Sequence, residues 1–346
     1  MPVPPAPRPA AAPLRLGSNE NPFPPLPGVL QAVLSAGERL NRYPDPDCSE
    51  LRAALSRTLG VAREQIAVGP GSADLLHRLT RLVCGPGDEV VTAWRSYEGH
   101  PAAVTAAGAR PVRVPLTADG RADLRTMAAS CTGRTRAAFV CTPHNPTGTV
   151  PDPAELARFL SQVPAHVLVV LDEAYRDFAG ADAPDGLAAF ADRPALCVVR
   201  TFSKGYGLAG LRVGYLVADS ALAERVRGSG PPYAVSQLAQ DAAVESLHWG
   251  EALAARVGTL MAERTRMRSV LCARGWPVPE SRANFLWLPL GERTTSFQEH
   301  CARAGVAVKA FPGEGARITV ADAESNDLLL DLAREFGAGP PPGAPS

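Results

Sequence analysis

Three short apolar runs, residues 137–141, 167–171 and 195–200, stand out along the middle of the chain. They are continuous rather than alternating, as expected of strands buried on both faces. Helical patterns separate or follow them, for example at 153–162 and 219–226, and Pro153 stands where a first-turn proline is tolerated. Strands alternating with helices predict an α/β fold, a large domain with a mostly parallel sheet between helices. Ligands of such sheets gather in loops beyond the carboxyl ends of the strands. Each of the three runs is followed there by a polar cluster, at 142–148, 172–175 and 201–204. From 237 to 273 apolar residues three and four apart predict one long helix leading out of this domain. Strands at 284–290 and 316–320 and a helix at 324–336 then predict a smaller α+β C-terminal domain. The expected division is an N-terminal arm over 14–44, a large domain over 45–240 and a small one over 241–336. Residues 1–13 and 337–346 read as a disordered lead and tail.

Composition narrows the function. With 346 residues and 46% hydrophobic content the chain fills more than one typical domain. A formal net charge of +0 gives no electrostatic case for nucleic acid or a membrane surface. Small molecules and further copies of the chain are the expected partners. The seven cysteines form no CxxC pair, which suits reduced thiols in a cytoplasmic protein. The histidines show no ligand spacing, so no metal site is expected, and His144 reads as a residue that shapes its loop.

The cluster Thr201-Phe202-Ser203-Lys204 is followed eight residues later by Arg212. A lysine at a strand end is ordinarily a solvated charge. Here hydroxyls and a guanidinium, the donors a dianionic phosphate needs, surround it. A partly desolvated lysine also forms an imine with an aldehyde. Pyridoxal 5'-phosphate (PLP) carries both groups. Asp172, in Asp172-Glu173-Ala174-Tyr175, suits an ion pair with a protonated pyridine nitrogen. Tyr175 and Asn145 are placed to bond the phenolic oxygen of the ring. Gly71-Ser72-Ala73 opens a helical run and offers backbone N–H groups to an anion. Tyr97 follows an expected strand at 89–93 and suits stacking on a planar ring.

Together these residues identify a resemblance. The chain resembles the fold-type I PLP-dependent aminotransferases of the histidinol-phosphate aminotransferase family, from about Leu16 to about Phe336. The stretches that carry it include Ser18-Asn19-Glu20-Asn21-Pro22, Asn145-Pro146-Thr147-Gly148, the Asp172 and Lys204 clusters, 207–215 and Arg317-Ile318-Thr319. Within that family, Trp94-Arg95-Ser96-Tyr97, 163–166 and 283–290 look most like the actinobacterial aromatic amino acid (phenylalanine) aminotransferases. The resemblance implies that Lys204 holds PLP as a Schiff base and shuttles the proton. Asp172, Asn145, Tyr175 and Tyr97 would meet the ring, and Thr201, Ser203, Arg212 and the backbone of Gly71, Ser72 and Ala73 the phosphate. Tyr43 would reach the phosphate of a partner subunit, making a homodimer.

For the substrate, Arg317 would grip the α-carboxylate, Lys309 the acidic arm of glutamate, and Tyr97, His100 and the segment from Asn19 to Phe23 the aromatic side. The implied activity is amino transfer from an aromatic L-amino acid to 2-oxoglutarate. Histidinol phosphate is an alternative substrate, but the sequence has Gly230 and Lys309 where those enzymes have arginines suited to a phosphate. A related PLP-dependent decarboxylase, or a PLP-binding regulator without catalysis, are the other readings of the same residues.

Overall fold

The computed structural model describes residues 13–190, 193 and 195–338. The expected lead thus lies outside the described residues up to position 12, and the expected tail from 339 onward. Gly337 and Ala338 are not loose: Arg293 donates to both their carbonyls, at 2.9 and 2.6 Å.

The strands are β1 (Leu14–Leu16), β2 (Ile66–Gly69), β3 (Glu89–Trp94), β4 (Arg110–Pro115), β5 (Thr135–Cys141), β6 (Leu168–Asp172), β7 (Leu196–Thr201), β8 (Gly214–Val217), β9 (Phe285–Leu288), β10 (Val306–Phe311) and β11 (Gly315–Thr319). The large sheet has seven strands in the order β2-β8-β7-β6-β5-β3-β4. Only β8 runs against its neighbours. The three apolar runs are its centre, and the reason is visible in the packing. Ala137, Phe139, Leu168 and Val170 enter one core with Leu75, Leu76 and Leu79 of the helix Ser72–Val83. Ala138, Val140, Val169 and Leu171 enter the opposite core with Leu156 and Phe159 of the helix Pro153–Gln162. Covering both faces is what makes the runs continuous.

The smaller lobe is a sheet in the order β1-β10-β11-β9, with β1 parallel to β10 and the other pairs antiparallel. Helices Gly250–Ala273, Thr294–Arg303 and Ala323–Phe336 bury their apolar faces on it. The first strand of the expected N-terminal arm therefore belongs to this C-terminal sheet. The long helix expected over 237–273 is two helices, Gln237–Leu247 and Gly250–Ala273. The break falls at Trp249, whose φ of −108° and ψ of 41° leave the helical region, with its indole donating back to Glu245 at 2.8 Å; the second helix starts at Gly250. No described helix is long and apolar enough to cross a membrane.

Candidate active site

A cavity of about 300 Å³ opens between the lobes, where β5, β6 and β7 end at Cys141, Asp172 and Thr201. Its first end is built for an anion. The helix Ser72–Val83 begins after Gly71 with no side-chain cap, so its first-turn N–H groups are free to meet one. The Thr201 hydroxyl donates to the Ser203 hydroxyl at 3.0 Å, and Arg212 Nη1 donates to Ser203 at 3.2 Å. Two glycines permit this close approach. A Cβ at Gly71, whose φ is +88°, would lie 2.5 Å from Arg212 Nη2, and one at Gly214 would lie 2.6 Å from the Ser72 nitrogen. Arg212 itself has φ +54°, a left-handed conformation that a bulky residue adopts only when its surroundings compel it.

At the other end Asp172 is buried. Its Oδ1 accepts from the Ala174 N–H at 3.2 Å. Its Oδ2 lies 2.9 Å from His100 Nε2. An ionised carboxylate only accepts, so His100 Nε2 carries the hydrogen of this bond. Between the ends, Lys204 Nζ donates to the carbonyls of Ser18 and Asn19, at 3.0 and 3.1 Å. Burial, with the nearby charge of Arg317, pushes the Lys204 ammonium down to about 8. Lys204 and Lys309 are the only lysines in the chain, whose other basic residues besides histidine are arginine.

The roof comes from the small lobe and from residues 17–21. Arg317, on β11, is buried; its Nη1 donates to Asn145 Oδ1 at 2.5 Å and its Nη2 to the Gly17 carbonyl at 2.7 Å. Its Nε is buried with no partner, and among the described residues no carboxylate lies within ion-pair distance of it. Asn19 ties the roof to the floor. Its Nδ2 donates to the Tyr175 hydroxyl at 2.9 Å, and its backbone N–H donates to Thr319 Oγ1 at 2.9 Å.

The family model of aminotransferase class I and II matches residues 12–331. The chain belongs to this family. It is 52% identical to the aromatic amino acid aminotransferase of Streptomyces coelicolor, over 93% of this chain and 90% of that protein. It is 50% identical to the enzyme of the same name from Thermobifida fusca, over 93% and 90%. A crystal structure of the Sinorhizobium meliloti histidinol-phosphate aminotransferase in complex with pyridoxal-5'-phosphate superposes with a TM-score of 0.87 at 29% identity, over 94% of this chain and 92% of that one. The fold is that of the fold-type I aminotransferases, and the chain is a transaminase.

In this aminotransferase Asn19, Ser72, Ala73, Tyr97, Asn145, Asp172, Tyr175, Thr201, Ser203, Lys204, Arg212 and Arg317 converge on one cavity, as expected from sequence. Gly71 stands just behind it, under Arg212. Three expectations change in detail. His100 does not line the substrate side; it is fully buried, packed edge-on against Tyr97 and Phe139, and spends its Nε2 on Asp172. Asn19 lines the cavity but its side chain is committed to Tyr175 and Thr319. Lys309 is not free: its Nζ lies 3.0 Å from Glu98 Oε2. Tyr43, which the resemblance directs to a partner subunit, lies on the surface, 83% exposed and stacked on Tyr233 at 4.7 Å, away from its own cavity. Glu20, in the expected segment from Asn19 to Phe23, also lines the cavity, and sequence reasoning overlooked Cys141 and Ser18 beside it. Ser18 stands within a motif that carries the resemblance.

Proposed function

We propose that this aminotransferase binds PLP and transfers the amino group of an aromatic L-amino acid to 2-oxoglutarate, working as a homodimer. The observation that carries the reading is the charge balance of the cavity. Lys204, Arg212 and Arg317 line it without any carboxylate partner among the described residues, while Asp172 is its deeply buried carboxylate. Such a site calls for a ligand with a dianion at one end, a protonated ring nitrogen at the other, and a separate carboxylate under Arg317. PLP with an amino acid fits it. The free helix N-terminus, Thr201, Ser203 and Arg212 would hold the phosphate, Asp172 the ring nitrogen, Asn145 and Tyr175 the phenolic oxygen, and Tyr97 the ring face.

PLP supplies an aldehyde for the amino group and a pyridinium that takes up electrons. The residues supply the rest. Arg317 binds the α-carboxylate and so orients the α-carbon. Lys204 Nζ, half relieved of its charge at about pH 8 and more above it, takes the α-proton and returns it. His100 keeps the Asp172 carboxylate fixed by donating to it.

The names of the relatives and the likeness of their sequences support the aromatic substrate. Histidinol phosphate fits less well, since Lys309 is a single compact cation where a phosphate favours the fork of a guanidinium. The dimer is supported by the exposure of Tyr43 and of Arg212, which leaves the phosphate end open for a second copy to cover. Steady-state comparison of phenylalanine, tyrosine and histidinol phosphate with 2-oxoglutarate tests the substrate. An aromatic kcat/KM above that for histidinol phosphate is expected; the reverse order overturns the assignment. Sedimentation at assay concentration should show a dimer, and a fully active monomer would contradict it.

A further inference from the structure

Transamination asks one cavity to accept two different side chains in turn. Lys309 and Arg317 are directly paired across β10 and β11. Directly opposite residues of an antiparallel pair send their side chains to the same face, roughly 5 Å apart at Cβ. Arg317 enters the cavity, so Lys309 leaves the same face beside it. There it meets Glu98, at 3.0 Å, across the cleft from the large lobe. Glu98 directly follows Tyr97, whose ring lines the cavity. Its charge is felt at both Tyr97 and Arg317, so it stands close to the walls that hold substrate. Lys309 and Glu98 are 39% and 53% exposed, so water screens the pair and it opens at little cost. A second ion pair crosses the same cleft, between Arg95 and Glu314, with Arg95 over the Phe311 ring.

We infer that Glu98 is a resident stand-in for the second carboxylate of an acidic substrate, and that its exchange on Lys309 sets the balance between acidic and aromatic side chains. With Glu98 in place, an entering ring faces a neutral pair rather than a bare cation. When glutamate or its oxo acid enters under Arg317, its distal carboxylate displaces Glu98, which turns to solvent. Lysine suits this exchange better than arginine, being a flexible point charge that does not lock into a bidentate fork. The inference rests on the aminotransferase reading above, but not on which aromatic amino acid is the donor.

The test uses the PLP-loaded enzyme and follows two half-reactions by the cofactor's absorbance, one with glutamate and one with phenylalanine. The readout is the ratio of their kcat/KM values. Glu98→Gln should raise the glutamate-to-phenylalanine ratio about two- to fivefold, the worth of an exposed ion pair, through KM for glutamate. Lys309→Met should lower the ratio, and adding Glu98→Gln to it should change nothing further. Glu314→Gln, which opens the other pair, should leave the ratio where it was. A ratio that falls or stays level in Glu98→Gln, or that shifts equally in the Lys309→Met background, overturns the inference. So does an equal shift with Glu314→Gln, which would mean general loosening of the cleft. If phenylalanine does not react at all, the aromatic reading fails, and the glutamate KM alone still decides the role of Glu98.

Discussion

Arg212 and Arg317 serve the two ends of one cavity and are held in opposite ways. Arg212 stands on a loop of the large lobe, exposed, in a left-handed turn, with Ser203 and the Ala209 carbonyl as its partners. Thr201, Ser203 and Arg212 lie within twelve residues of one another, and Gly71 makes the space. Arg317 stands in a strand of the small lobe, buried, and its partners Gly17 and Asn145 are 300 and 172 residues away. The end proposed for the cofactor is thus assembled within one lobe. The substrate end exists only when the small lobe, residues 17–21 and the 142–148 loop come together.

That contrast can be broken by mutation. Arg317→Gln should lower kcat/KM about 10²-fold or more for every amino acid, while PLP affinity changes little. Arg212→Met should instead weaken PLP, raising its dissociation constant by about 10²-fold in fluorescence titration. If the two effects are exchanged, the assignment of the ends is wrong. His100→Phe removes the hydrogen bond to Asp172 and should reduce kcat roughly tenfold, with a moved pH titration of the bound cofactor's absorbance. An unchanged titration would deny His100 its positioning role. Gly71→Ala forces a Cβ against Arg212 in an unfavourable backbone region, and should weaken PLP about tenfold.

The smallest effect concerns pH. The folded-state pKa of Lys204, about 8, lies below the ordinary 10.5. Between these values the unfolded chain holds the extra proton, so this group's contribution to the stability of the PLP-free protein increases as pH rises through that window. PLP capture by that protein should likewise speed up as pH passes about 8 and level off above it. A rate still climbing toward pH 10.5 would mean that Lys204 is not desolvated.

Much of this was legible in the sequence because its signals are local. Continuous apolar runs marked β5, β6 and β7, and the chemistry sat in the few residues after each. The cofactor end was readable for the same reason. The pairing of β1 with β10 was not, since nothing local links Leu14 to Val306. Nothing local to Asn19 shows that Tyr175 and Thr319 use its amide rather than a substrate. The short spacing from Tyr97 to His100 says nothing of which way the histidine faces. In the structure Tyr97 precedes the helix Gly99–Ala106, while His100 lies in its first turn and faces Asp172. The break between the helices Gln237–Leu247 and Gly250–Ala273 was hidden because the apolar spacing runs through it.

The central claim is that Lys204 is the amine that engages PLP. With only two lysines in the chain, borohydride reduction of the PLP-loaded enzyme followed by peptide mapping gives a direct answer. The account predicts one modified peptide, containing Lys204, and none in Lys204→Ala, whose turnover should fall at least about 10³-fold. Modification at Lys309, or none in the wild-type enzyme, would contradict it.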